Sequence, residues 1–177
     1  DVAVGSWRNA PYVVIQNVGA YIDLPRFMSS SQPVKSEEDI YYYLNRLSEI
    51  PAVMGGETER MPAARGQGLV PPDFLLDKAI TQMESSRKEA STGGIYTSAL
   101  TSQVVEKFGE EALGEKGEYA YGIVTGDIVP ALQRQLEELK IQRGLAKSDA
   151  GIWAQPNGEE WYNWANRAST TTDLSAD

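Results

Sequence analysis

The chain has 177 residues, 25 acidic against 16 basic, and a net charge of −9, with neither Cys nor His. That charge excludes a nucleic-acid backbone as partner, which calls for clustered Lys and Arg, and it disfavours anionic membrane surfaces. The missing Cys and His exclude disulfides, thiolate metal sites, a Ser-His-Asp triad and a His-Glu-x-x-His zinc site within this chain.

The chain begins on Asp1, and no basic-then-apolar leader follows. It closes on Thr-Thr-Asp-Leu-Ser-Ala-Asp, where Asp173 and Ser175 are helix-capping residue types with no helix after them. Both ends read as cut. No apolar run approaches the ~20 residues of a membrane helix, so no membrane span is expected.

From Pro11 to Ala20 the β-branched Val13, Val14, Ile15 and Val18 fit a strand, while Tyr12, Ile15 and Gly19 fit one face of a helix. The Ser-rich stretch ending in Gln32–Pro33–Val34 marks a loop. Ser36 and Asp39 then form a capping box with Asp in place of Glu. Behind it Ile40, Leu44, Leu47, Met54 and Met61 give a core-facing helical stripe. Pro51 with Gly55–Gly56 predicts a break over residues 49–56. Gly66 and Gly68 supply C-terminal caps before Pro71.

Pro72 and Asp73 open the next helix, with Leu75, Leu76, Ala79, Ile80 and Met83 as its apolar face up to about Glu89. Residues 90–98 read as a Gly-containing loop, and a short helix is expected over roughly Ala99–Phe108. From Glu118 to Arg143 the pattern is helical again, kinked near Gly126–Pro130 and ended by Gly144. Asn157 and Glu160 then predict a capped helix with Trp161, Trp164, Ala165 and Ala168 on one face. The expected class is all-α, an irregular bundle of kinked helices.

Adjacent acidic pairs such as Glu137–Glu138 point about 100° apart on a helix, so they do not converge as acid and base. The glycine stretches lack phosphate-loop spacing and read as turns. Tyr41, Tyr42 and Tyr43 wrap around a helix and cannot all face one core; Tyr162, beside Trp161 and Trp164, is in the same position. Either a larger assembly buries them, or they contact a substrate. Arg46, Arg60, Arg65 and Arg167 are the cations that suit a peptide carboxylate, with a salt bridge as the plain alternative.

The segments "SWRNAPYVVIQNVGAYIDLPRFM", "YYYLNRLSEIP", "ARGQGLVPPDFLLDKAITQM", "VPALQRQLEEL" and "GIWAQPNGEEWYNWANRASTTTDLSAD" stand in register. Together they resemble a bacterial domain-of-unknown-function family, the one numbered 885, over nearly the whole chain. That resemblance implies a helical, gluzincin-type zinc metallopeptidase, whose His-Glu and Pro-Gly-His-His signature lies downstream of the matched region. It implies that residues 1–177 are the N-terminal portion of a larger helical peptidase-like fold. The zinc belongs to the parent protein, with no catalytic or metal residue in this chain.

The implied partners are the missing C-terminal part, a peptide substrate, and a second copy through self-association. Tyr42, Tyr162 and Arg167 are the candidate substrate-binding residues. An extracytoplasmic, periplasmic setting is favoured. The contrasting reading is a stand-alone, non-enzymatic helical binding or scaffold module.

Overall fold

In a computed structural model that describes residues 11–170, the chain runs α1 (Ala20–Ser30), α2 (Glu37–Gly66), α3 (Asp73–Ala90), α4 (Gly94–Phe108) and α5 (Glu110–Ile123). A π-helical turn (Val124–Ile128), α6 (Val129–Leu145), a 3-10 turn (Ile152–Ala154) and α7 (Gly158–Thr170) follow. The architecture is all-α, as the periodicity predicts. The terminal capping signal at Asp173 and Ser175 lies outside the described residues.

Neither reading of residues 11–20 holds. Ile15 and Val18 form an isolated antiparallel bridge within a turn, and the helix starts at Ala20. Gly19 makes that start: its φ of 136° lies where side chains are rarely accommodated, and an added Cβ would come within 3.2 Å of the Tyr21 ring.

The expected break at residues 49–56 is absent, because α2 runs unbroken for 30 residues through Pro51 and Pro62. Each proline removes one helix hydrogen bond and costs about 3 kcal/mol in a free helix interior. Seven buried apolar side chains (Ile40, Tyr43, Leu44, Leu47, Ile50, Met54 and Met61) contribute about 1.5–3 kcal/mol each and outweigh it. Packing therefore overrides propensity. Both ends follow the sequence signals. Ser36 and Asp39 form the capping box, with Ser36 N–H donating to Asp39 Oδ2 at 2.9 Å. At the far end Leu69 N–H reaches the Ala64 carbonyl and Gly68 N–H the Arg65 carbonyl. This is a Schellman closure around Gly68, whose φ is 80°.

Two further boundaries are corrected. The loop expected over 90–98 is shorter, since α4 begins at Gly94 and buries Tyr96, Leu100 and Val104 at i, i+4 and i+8. The helix expected from Glu118 begins earlier, at Glu110, with a non-helical residue at Gly114. The kink expected near Gly126–Pro130 takes the form of the π turn, closed by Val129 N–H donating to the Val124 carbonyl. A wider turn at this point suits Pro130, which has no N–H to offer the regular ladder.

At the centre of the bundle, α6 packs on α2 and α3. It runs parallel to the second half of α2. Gln135 Nε2 donates to the Met54 carbonyl at 3.1 Å, and seven residues on Gln142 Nε2 donates to the Met61 carbonyl at 3.4 Å. It runs antiparallel to α3, with Asp77 paired to Arg143 and Glu84 to Lys140. Meanwhile α1 lies across α2 and α4, and α7 rests on the 3-10 turn before it.

The buried phenols and the capped carboxylates set a pH window. Burial pushes the Tyr21 hydroxyl up to about 12 and moves Tyr43 and Tyr96 the same way, from an ordinary 10.0. Backbone hydrogen bonds from Lys35 and Ser36 hold Asp39 below its ordinary 3.8, and the Arg143 hydrogen bond does so for Asp77. The raised phenols stabilise the fold fully below pH 10, and that contribution is lost as pH climbs through their folded values. The lowered carboxylates contribute above 3.8, and that contribution is lost as pH falls through their folded values. A plot of Tm against pH is therefore expected to fall at both ends, and Tyr43→Phe should soften the alkaline fall. An alkaline limb unchanged by Tyr43→Phe would remove Tyr43 from the account.

Candidate functional site

Residues 42, 45, 46, 49 and 53 recur at helical spacing and form the outer face of α2, opposite its buried stripe. A groove on either side meets at Asn45. The first, of about 540 Å³, lies between α1 and α2 and is walled by Leu24, Phe27, Arg46, Glu49, Ile50 and Val53. The second, of about 590 Å³, lies between α2 and α5 and is lined by Tyr41, Leu44, Asn45, Glu115, Lys116 and Tyr119.

Two cations lie over rings along these grooves. The Arg46 guanidinium stands 5.6 Å from the Phe27 ring centroid, and the Lys116 ammonium 5.7 Å from that of Tyr41. Such contacts contribute about 0.5–1 kcal/mol at exposed sites, enough to orient a side chain and little more. Lys116 is also held by the Ala112 carbonyl at 3.1 Å.

The tyrosine triplet divides as helical geometry requires. Tyr43 is fully buried and donates to the Tyr96 carbonyl at 2.7 Å, whereas Tyr41 and Tyr42 are 56% and 49% exposed. The Tyr42 hydroxyl donates to Glu38 Oε1 at 2.7 Å, one turn back on its own helix, and that bond raises its pKa. Tyr162 and Arg167 are exposed on α7. They stand on a different element from Tyr42, and α7 packs chiefly on its own 3-10 turn.

Of the other flagged cations, Arg65 forms a two-pronged pair with Glu138 at 2.7 and 3.3 Å, the plain salt-bridge outcome. Arg60 bonds the Gly56 carbonyl of its own helix. Arg46 alone of the four lines the α1–α2 groove.

Sequence reasoning missed Phe27, Asn45, Lys116 and Tyr119, which come from three helices and carry no shared motif. It also missed Glu57, the acid within the Met54–Met61 stripe. Its two oxygens accept from Ala20 N–H at 2.9 Å and Gln135 Nε2 at 2.8 Å, so a side chain of α2 caps α1 and ties it to α6. An acid at i+3 between two buried methionines was a legible signal for such a tie.

Among the described residues, no cluster of side chains fits a zinc ion. The sequence offers no His or Cys, and no three carboxylates converge among the described residues. No described helix is long and apolar enough to cross a membrane.

Residues 4–177 match the model of a family described as bacterial protein of unknown function (DUF885). No curated protein matches the chain. Among solved structures, the crystal structure of "the putative lipoprotein from Colwellia psychrerythraea" is similar, with a TM-score of 0.85 and 24% identity. That likeness covers 93% of this chain and 28% of the other, so the chain spans well under a third of its solved neighbour.

Proposed function

The chain belongs to the bacterial DUF885 family, and from that premise we propose that it forms the helical wall of a larger, peptidase-like fold whose zinc is held by residues outside it. One observation carries the reading. The outer face of α2 is open along two grooves, in a chain whose fold occupies only 28% of a solved neighbour. An open face of this size, edged by exposed tyrosines, suits contact with more protein.

In this reading the Tyr41–Tyr119 groove seats the remainder of the longer protein, and the Phe27–Arg46 groove stays open as cleft wall. Tyr42, one turn from Arg46, would contact peptide at that groove, and Tyr162 and Arg167, on α7, would contact it away from the groove. The zinc-peptidase part rests on the family resemblance, and the role of this chain is confined to binding and orientation. The description of the neighbour as a putative lipoprotein supports an extracytoplasmic setting.

The test compares the 177-residue chain with a longer family protein that carries it. The longer protein should hold about one zinc per chain and cleave peptides, and Tyr42→Phe or Arg167→Ala within it should raise KM more than they lower kcat. A longer protein without zinc or peptide hydrolysis would overturn the reading and leave a non-enzymatic binding or scaffold module.

A further inference from the structure

We propose that the α1–α2 groove binds the C-terminal end of a peptide, its carboxylate on Arg46 and its last apolar side chain on the wall formed by Leu24, Phe27 and Val53. The peptide class rests on the reading above; the site itself is independent of any metal.

Arg46 is the first argument. Its guanidinium lies on the Phe27 ring, and among the described residues it makes no hydrogen bond or ion pair. A guanidinium held over a ring without other partners leaves its N–H donors available to take a carboxylate through two parallel bonds. Arg65 and Arg143 use theirs in that way on Glu138 and Asp77. Glu49, one turn from Arg46 and lining the same groove, forms no ion pair with it.

The groove supplies the rest. Met28 and Ile50, both nearly inaccessible, close its floor, and Leu24, Phe27 and Val53 offer apolar surface beside the cation. Asn45 has a carboxamide with no partner among the described residues, able to donate to and accept from one peptide bond. Glu49 is the charge that selects. It repels a second acidic group, so one carboxylate at a chain end suits the groove better than an acidic run. A fatty acid presents the same carboxylate, but its long chain would leave methylenes exposed along a rim of Asn45, Ser48 and Glu49.

The wall is also fixed in advance. Glu57 holds the start of α1. Beyond its end, Gln103 takes Val34 N–H at 2.9 Å and donates to the Gln32 carbonyl, while Lys107 Nζ donates to the Val34 carbonyl. A groove whose wall is already ordered loses less entropy on binding.

The test is calorimetric titration of the 177-residue chain with three probes. They are an N-acetylated tetrapeptide ending in leucine, the same peptide as its C-terminal amide, and laurate. The free acid is expected to saturate with a Kd below about 1 mM. The amide should bind at least about tenfold more weakly, and Arg46→Ala should cost the acid the same factor while leaving the amide unchanged. Arg46→Lys, a point charge without the planar fork, should fall between. Arg46 is exposed, so an unaltered thermal melt certifies each variant; Val53→Asp, which sets a like charge beside the carboxylate, serves as a second variant that should also weaken the acid. Equal binding of acid and amide, no saturable binding of the acid, or preference for laurate would each overturn the proposal. These outcomes are read without zinc, so they stand or fall apart from the metal test.

Discussion

Replacing Glu57 with alanine is expected to lower the unfolding free energy by about 3 kcal/mol, because a buried acceptor serving two donors disappears. Glu57 is 9% exposed and accepts from Ala20 N–H and Gln135 Nε2. Ala20 opens α1, and the residue before it, Gly19, has no side chain to cap the helix. The mutation therefore leaves a helix N-terminus buried without its acceptor. Gln135 retains only the Met54 carbonyl. At about 2–4 °C per kcal/mol for a chain of this size, Tm should fall by roughly 6–12 °C. Glu57→Gln keeps one acceptor and the shape, so about half that loss is expected. Amide exchange should accelerate first at Ala20–Asp23. Equal melts for the alanine and glutamine variants would show that only the intact carboxylate with both oxygens matters there, and that neither volume nor a single retained acceptor does.

The second large effect is at Tyr43. Tyr43→Ala should cost about 3–5 kcal/mol, the range for emptying a large aromatic site in a packed core, with an additional penalty for the Tyr96 carbonyl left without its donor. Tyr43→Phe isolates the hydrogen bond and should cost about 1–1.5 kcal/mol. On exposed positions of the same triplet, Tyr42→Ala should stay within about 0.5 kcal/mol and Tyr41→Ala, which also loses the Lys116 contact, within about 1 kcal/mol. Chemical denaturation of the four variants checks the order. Three equal losses across the triplet would mean that all three rings are buried.

These two sites show what could be read from the sequence. The stripe from Ile40 to Met61, the Ser36–Asp39 box and the Gly68 closure depend on neighbours in the chain, so spacing reveals them. The triplet told that one ring had to differ from the others, but which one was buried depended on where α4 lay. Pro51 misled because its local cost is visible in sequence, while the compensating burial against α4, α5 and α6 is not. Gly93–Gly94 misled in the same sense, hiding a helix whose stripe begins two residues later at Tyr96. The groove was the least legible part. Arg46 stood among the candidate cations, yet its ring partner Phe27 belongs to another helix, and no local pattern joins them.

The account turns on the outer face of α2 being an internal wall of a longer protein. Tyrosine nitration followed by peptide mass mapping reads this directly, comparing the isolated chain with a longer family protein that contains it. In the isolated chain Tyr41, Tyr42 and Tyr119, which are 56%, 49% and 60% exposed, should all be nitrated, and the buried Tyr43 should not. In the longer protein Tyr41 and Tyr119 should become protected while Tyr42, on the cleft side, stays reactive. Unchanged nitration of Tyr41 and Tyr119 would contradict the account.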